Sequence, residues 1–570
     1  MKTNKNIIKI TCLSLFLIFT ACENFLDEVN YTYLTGDSFF STEKGIESLV
    51  NACYTPLRFY YGKEFSLVYT ELGTDIMTAG NGMIDNPYTY YRPDMVRIVD
   101  KGRDKNSDYW RYFYLGLNNA NSAVERVPKS QLPLEKRKIR EGEVLFLRAF
   151  YLWHIVNIWG GVHFTTEENK KVTTHLNMTD ETVFFNQIIN DLRKAIPLLP
   201  STTADYGRVT KPAAQALLAR TYLYVKDYAN AYAYADTVIK QYGFKLLKNF
   251  SDLWNPNNEI NNEVIWSVIW SENDNYSATI IEGQQDNDNK PWYERAPGSQ
   301  LHLFYVMVYD QVAINGQTPV KRDIPNGRPF NRLIPTQYLL DLYNENIDSR
   351  YYSTFQTVWY CNNQIKLANG DTMKVGDTAI LVTKNVIADN VKSQKPYVIY
   401  DRNSLFKADG TPAGTRQQNF TLKKFLDPTR DPLDVNDQSS KFDVYIFRLA
   451  EMYFIAAEAK MYLGDKTAAA DLINVIRKRA AYPGKESQME ITADDINIDF
   501  ILDEKAREFA GEYIRWFDLK RTNKLVERVR LHNPDAAPNI QEYHRNRPIP
   551  ENELNSVTNK NEFHQWPGYN

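Results

Sequence analysis

Long apolar runs are scarce in this 570-residue chain, which argues against membrane-spanning helices. The most apolar stretch, Ile10 to Ala21, covers about a dozen residues against the roughly 20 that a spanning helix needs. The next, Val144 to Trp159, is interrupted by Arg148, His154 and Asn157. Cysteine is nearly absent. Of the four, Cys12 and Cys22 lie near the amino terminus, leaving Cys53 and Cys361 for one disulfide at most and excluding a disulfide-stapled scaffold. The seven histidines are scattered, and neither His154 nor His163 has a partner at metal-ligand spacing, so no metal centre is expected. Asp286 and Asp288 open like a calcium loop, but the glycine and the closing glutamate that such a loop needs are missing. No phosphate-cradling glycine loop and no Gly-x-Ser-x-Gly elbow occur, and no cofactor is expected. Positive charge is not in excess either: 67 lysines and arginines face 70 aspartates and glutamates, a net charge of -3. A nucleic-acid partner, which needs a cationic face, is therefore not expected.

Aromatic side chains are plentiful instead. The 38 Tyr, 28 Phe and 10 Trp make up 13% of the chain. Tyrosine pairs a flat apolar ring with a polar tip, so an excess suits wet binding surfaces as well as cores.

At the amino terminus, Lys2, Lys5 and Lys9 precede the apolar run, and Thr20-Ala21 stand directly before Cys22. The stretch Ile18-Phe19-Thr20-Ala21-Cys22 resembles a bacterial lipobox, in which the chain is cut before an acylated cysteine. Residues 1–21 read as a signal peptide, Cys22 as the lipidation site, and residues 22–570 as one domain.

Helical spacing dominates two parts of the chain, about 39–250 and 441–530. Helices are expected over Phe39–Tyr61, Trp110–Val127, Lys136–Trp159 and Asp180–Leu199. Lys211–Val225 and Tyr228–Tyr242 form a hairpin across Lys226-Asp227, and Tyr445–Leu463 and Lys466–Arg479 repeat the plan across Gly464-Asp465. Large and small residues alternate in both, as in stacked tetratricopeptide units. Between about 255 and 440, clusters of Asn, Asp, Gly and Pro mark loops, with strand-like pieces at Val264–Trp270, Ala379–Thr383 and Tyr397–Tyr400. The fold class expected is all-α, a helical hairpin scaffold carrying a loop-rich half.

Several motifs in order make the chain resemble the SusD/RagB family of Bacteroidetes outer-membrane nutrient-binding lipoproteins. They are Cys22-Glu23-Asn24-Phe25-Leu26-Asp27, Asn118-Asn119-Ala120-Asn121, Glu143 to Phe164, and Thr210-Lys211-Pro212-Ala213-Ala214 with Asn230-Ala231. Later come Glu504 to Arg521, Arg547-Pro548-Ile549-Pro550 and Gln565-Trp566-Pro567-Gly568-Tyr569. The resemblance implies a tetratricopeptide-like scaffold, lipid anchorage at the outer membrane facing outward, and binding of glycan. It also implies delivery to a partnered SusC-like TonB-dependent transporter, without catalysis. The alternatives are peptide uptake of the RagB kind, a lipid-anchored hydrolase, and a scaffold for protein partners.

Sugar rings present apolar C–H faces edged with hydroxyls, so flat aromatics beside amides and guanidinium groups are the candidate platforms. Two segments qualify: Asn86 to Arg92, with Tyr88, Tyr90 and Tyr91, and Asn287 to Arg295, with Trp292, Tyr293 and Arg295. Trp110, Trp153, Trp159 and Trp516 sit in helical patterns and are assigned to the core, as is His154. Glu504, Glu508 and Glu512 share a helix face with arginines nearby, which reads as structural ion pairing rather than a catalytic pair. Arg515 is expected to pair with Glu508, Glu512 or Asp518.

Overall fold

The computed structural model describes residues 36–84, 86–92, 106–270 and 298–569. Its scaffold is all-α. Eight helices form a stack in which each packs on the next: α1 (Glu43–Tyr54), α2 (Asn106–Arg126), α3 (Leu134–Trp159), α4 (Glu181–Ala195), α5 (Lys211–Tyr224), α6 (Tyr228–Gln241), α7 (Leu449–Tyr462) and α8 (Lys466–Ala480). The hairpin turns are capped alike. Asp227 accepts from the amide of Asn230 at 3.2 Å, and Asp465 from that of Ala468 at 3.1 Å. Alanines 231, 235 and 469 are fully buried where helices meet, which is what lets the backbones approach.

More than 200 residues separate α6 from α7 in sequence, yet α7 packs directly on α6. The connection is closed by an antiparallel pair, Val264–Val268 with Val444–Arg448, whose ten residues are all buried. This corrects the expected helix start at Tyr445: the first residues of that segment are strand, and the helix begins at Leu449. The loop-rich part between the two strands carries short helices and small sheets. One joins Val358–Tyr360, Thr378–Val382 and Val398–Tyr400. Another pairs Met77–Ala79 with Leu333–Pro335.

Two other expectations are corrected. The segment Phe39–Tyr61 is not one helix. Thr42 caps α1 through a bond from the Gly45 amide, and Pro56 opens a separate turn, Leu57–Tyr60. The late charged segment is also two helices, α9 (Ile498–Phe509) and α10 (Arg515–Arg521). Gly511 (φ +79°) and Tyr513 (φ 65°) break it, and a Cβ at 511 would meet Phe425 and the Tyr305 hydroxyl at 2.9 Å. Cys53 and Cys361 are both buried and both free.

Carboxylates of α9 tie the scaffold to the loop-rich part. Arg350, fully buried, donates to Glu504 at 2.7 Å, Glu508 at 3.0 Å and Asp348 at 2.8 Å. Arg448 reaches Glu508 at 2.7 Å and Glu512 at 2.8 Å, and Arg479 reaches Glu508 at 2.5 Å and Glu263 at 3.0 Å. Such a network is costly to break, because each charge has left water and only its partners compensate.

Candidate functional site

The Met77–Ala79 and Leu333–Pro335 pair brings residues 80–82 alongside residues 331–332, where the Gly80 and Gly82 amides donate to the Arg332 and Asn331 carbonyls. Asn331 holds them there. Its Oδ1 accepts from the Asn81 amide at 2.9 Å, and its Nδ2 donates to the carbonyls of Arg416 and Gln417 at 3.0 and 2.9 Å. A Cβ at residue 80 would stand 1.9 Å from that Oδ1, so the approach requires Gly80. Arg332 adds a second tie, donating to the Gly82 carbonyl at 2.7 Å and to Glu64 at 3.0 Å.

The Arg332 guanidinium lies 3.8 Å from the centroid of the half-buried Phe330 ring, and that of Arg328 is 5.7 Å away. One half-buried phenyl ring thus has a guanidinium over it and a second nearby, with Asn81 exposed in the neighbouring segment. Trp270 and Gly298 are both held by Lys63, the sequence neighbour of Glu64. Lys63, next to Glu64, donates to the Gly298 carbonyl at 2.8 Å and lies 4.8 Å over the Trp270 ring. The Trp270 amide donates to Asp443 at 2.8 Å.

Trp292, Tyr293 and Arg295, together with Asp286, Asp288 and Cys22, lie outside the described residues. The second sequence candidate is only partly a surface. Residues 87–90 form a helical turn in which the Asn86 carboxamide accepts from the Tyr88 amide at 3.0 Å. That turn sends Tyr88 and Tyr91 inward, both fully buried. The Arg547 guanidinium lies 4.6 Å from the Tyr88 ring, and His544 packs 4.9 Å from Tyr91. As placed, these two rings belong to the core and not to an exposed platform. Tyr90 stays half-exposed, and its carbonyl accepts from Asn539 at 2.8 Å. Sequence reading passed over Phe330, Arg328 and Arg332, although Arg328-Pro329-Phe330-Asn331-Arg332 has the same polar-aromatic texture as the two segments it chose.

The charged helix makes no general acid. Burial alone would raise Glu508, but Arg479, Arg448 and Arg350 hold it down at about 2. Glu504 is likewise held well below the usual carboxylate range by Arg507, Arg350 and Arg477 against its burial. Glycoside cleavage needs a carboxyl pushed the other way. Arg515 does not pair as expected: it bonds Asp75, through Nε at 2.8 Å and Nη2 at 2.5 Å. Asp518 is taken by Lys505 and Arg521. His154 is a core residue whose ring nitrogens meet the Tyr61 hydroxyl at 2.8 Å and the Phe150 carbonyl at 2.9 Å. Trp110, Trp153, Trp159 and Trp516 are buried as expected.

A family model described as "SusD family" matches residues 262–569, more than half of the chain. The chain belongs to the SusD family. A second model, described as "Starch-binding associating with outer membrane", matches residues 24–223. Among curated relatives, SusD-like protein P25 of Formosa agariphila is 27% identical, over 95% of each chain. A SusD-like protein of Bacteroides ovatus is 25% identical, over 88% of this chain and 80% of its own. Among solved structures, a laminarin-binding SusD-like protein superposes with a TM-score of 0.67 at 22% identity, covering 93% of this chain and 100% of its own. Surface glycan-binding protein A from Bacteroides thetaiotaomicron, solved with laminarihexaose, gives 0.63 at 19% identity, over 92% and 99%. These likenesses establish the SusD-like helical fold. Membership places the protein among carbohydrate-binding proteins associated with the outer membrane. Among the described residues, no helix is long and apolar enough to cross a membrane.

Proposed function

We propose that this chain is a non-catalytic, surface-exposed glycan-binding lipoprotein. Acylated Cys22 holds it to the outer membrane, and it passes oligosaccharide to a partnered SusC-like TonB-dependent transporter. The observation that carries the reading is the half-buried Phe330 ring with the Arg332 and Arg328 guanidinium groups beside it; Trp292, Tyr293 and Arg295 are offered with it from the sequence alone. Ring faces stack on sugar C–H surfaces, and guanidinium and amide groups bond the hydroxyls. The glycans named for two structural neighbours make laminari-oligosaccharides the first ligands to try.

Calorimetric titration of a glycan panel headed by laminarihexaose tests the reading. Trp292→Ala and Phe330→Ala are each expected to weaken binding by about 1–3 kcal/mol, roughly five- to 150-fold. No new reducing ends should appear on incubation. Binding of oligopeptides with no glycan bound would move the site to the peptide-uptake reading, and release of reducing ends would make the protein a hydrolase.

A further inference from the structure

A second concave site lies elsewhere in the fold, walled by the carboxy-terminal motif that the glycan reading leaves unused. It is an open pocket of about 470 Å3, within the size range of small-molecule sites. Its aromatic walls include Trp566, Tyr543 and, from α4, Phe185, and the side chain of Lys520 reaches it from α10.

The walls are fixed before any ligand arrives. Trp566 Nε1 donates to the Trp159 carbonyl at 2.7 Å. Tyr543 packs so closely on Gly568 that a Cβ there would stand 2.4 Å from its ring. Gly160 (φ +82°) likewise leaves room for the Asn546 carboxamide and the Trp566 ring, 2.5 and 2.9 Å from where a Cβ would be. Asn546 is held in turn by Tyr569, whose hydroxyl donates to its carbonyl at 2.7 Å.

Although Glu181 lines the same pocket, Lys520 is a cation with no carboxylate in direct contact among the described residues. It donates to the Asn157 carbonyl at 2.7 Å and to Asn546 Oδ1 at 2.8 Å, and it makes no ion pair among the described residues. Its neighbour Arg521, by contrast, is bonded to Glu458 and Asp518. An ammonium has three donors, so the two bonds leave one to spend. Burial lowers Lys520 to about 8, with Glu181 raising it and Arg545 and Arg547 lowering it, so it stays mostly charged at neutral pH. The rim is polar, carrying Glu181, Glu542 and Arg545. An aromatic carboxylate would leave those groups facing apolar surface, whereas a sugar would meet them with hydroxyls.

We propose that this pocket binds an acidic sugar unit, a hexuronate, with its carboxylate on Lys520 and its ring against Trp566 and Tyr543. The inference stands apart from the glycan site at Phe330, with which it shares no residue.

Saturation-transfer NMR on the intact protein tests it with sodium glucuronate, its methyl ester, glucose and phenylacetate. Glucuronate is expected to bind in the millimolar range, with the ester and glucose weaker by on the order of tenfold or more, the loss of one charge-assisted hydrogen bond. Lys520→Gln, which keeps a donor for Asn157, should remove the preference for the charged form while laminarihexaose titrates as before. The ester series on wild-type protein decides the matter even if that variant folds poorly. Equal binding of glucuronate, ester and glucose would overturn the proposal. So would phenylacetate binding more tightly than glucuronate, an undiminished preference in folded Lys520→Gln, or no glucuronate binding at all.

Discussion

Arg515→Ala offers a sharp test of how the scaffold is held. Asp75 is fully buried and receives Arg515 Nε at 2.8 Å and Nη2 at 2.5 Å, with Arg528 Nε at 2.8 Å completing its shell. Arg515 Nη1 also donates to the Leu502 carbonyl at 2.6 Å, tying α10 to α9. Removing one partner of a buried pair typically costs about 3–5 kcal/mol. Because Arg528 still faces Asp75 after the substitution, the low end, about 3 kcal/mol, is expected here. At about 2.1 cal/mol/K per residue, 570 residues unfolding together carry about 1.2 kcal/mol/K, so Tm should fall by only about 2–4 °C. Denaturant titration is the better assay, combined in a double-mutant cycle with Asp75→Asn. Coupling of about 1–3 kcal/mol is expected between the two positions. Laminarihexaose affinity per folded molecule should not change. Additive effects in the cycle would refute the pairing, and unchanged stability with lost binding would put this helix in the ligand site.

The remaining predictions concern acidity and the anchor. Asp75, Glu504, Glu508 and Asp518 all have folded-state pKa values held below the unfolded ones by cationic partners. Their stabilisation is therefore present above about pH 4 and should be lost as pH falls toward about 2, which acid unfolding monitored by circular dichroism will show. Glu71 runs the other way: burial pushes it up to about 8, despite the backbone amides and charge of Arg515 pulling it down. The folded protein keeps a proton that the unfolded chain sheds, so stability falls as pH rises from about 4.5 to about 8. Glu71→Gln should thus match wild type near pH 4 and exceed it by up to a few kcal/mol at pH 8 and above; parallel curves would refute this. Cys22→Ala should abolish fatty-acid labelling and membrane fractionation while leaving the melting curve unchanged, and an unlabelled wild-type protein would end the lipoprotein reading.

What the sequence made legible follows the range of the interaction. The hairpins were readable because their signals are local: apolar spacing within one helix, and Asp227 and Asp465 three residues from the amides they cap. The ion-pair character of α9 was readable for the same reason, since Arg507 bonds Glu504 one turn away. Arg515 was misassigned because its carboxylate stands 440 residues off, and no spacing rule selects Asp75 over the nearer Glu508, Glu512 and Asp518. The segment Asn86 to Arg92 was misread in a related way, at Tyr88 and Tyr91. A loop rich in tyrosine looks like a platform until a distant cation claims the rings, as Arg547 claims Tyr88. Phe330 is the converse case, a ring held at the surface because Arg332 beside it is anchored by Glu64, 268 residues away. In both cases the place of the ring follows from where an arginine is anchored, Arg547 at the Tyr69 carbonyl and Arg332 at Glu64. Substitutions at Glu64 should therefore disturb the proposed glycan site at Phe330 without touching a sugar. Glu64→Gln, which keeps a hydrogen-bond acceptor but removes the charge, is expected to weaken laminarihexaose binding by less than Phe330→Ala does. If the two variants lose equal affinity, Glu64 contacts ligand itself and its positioning role is wrong.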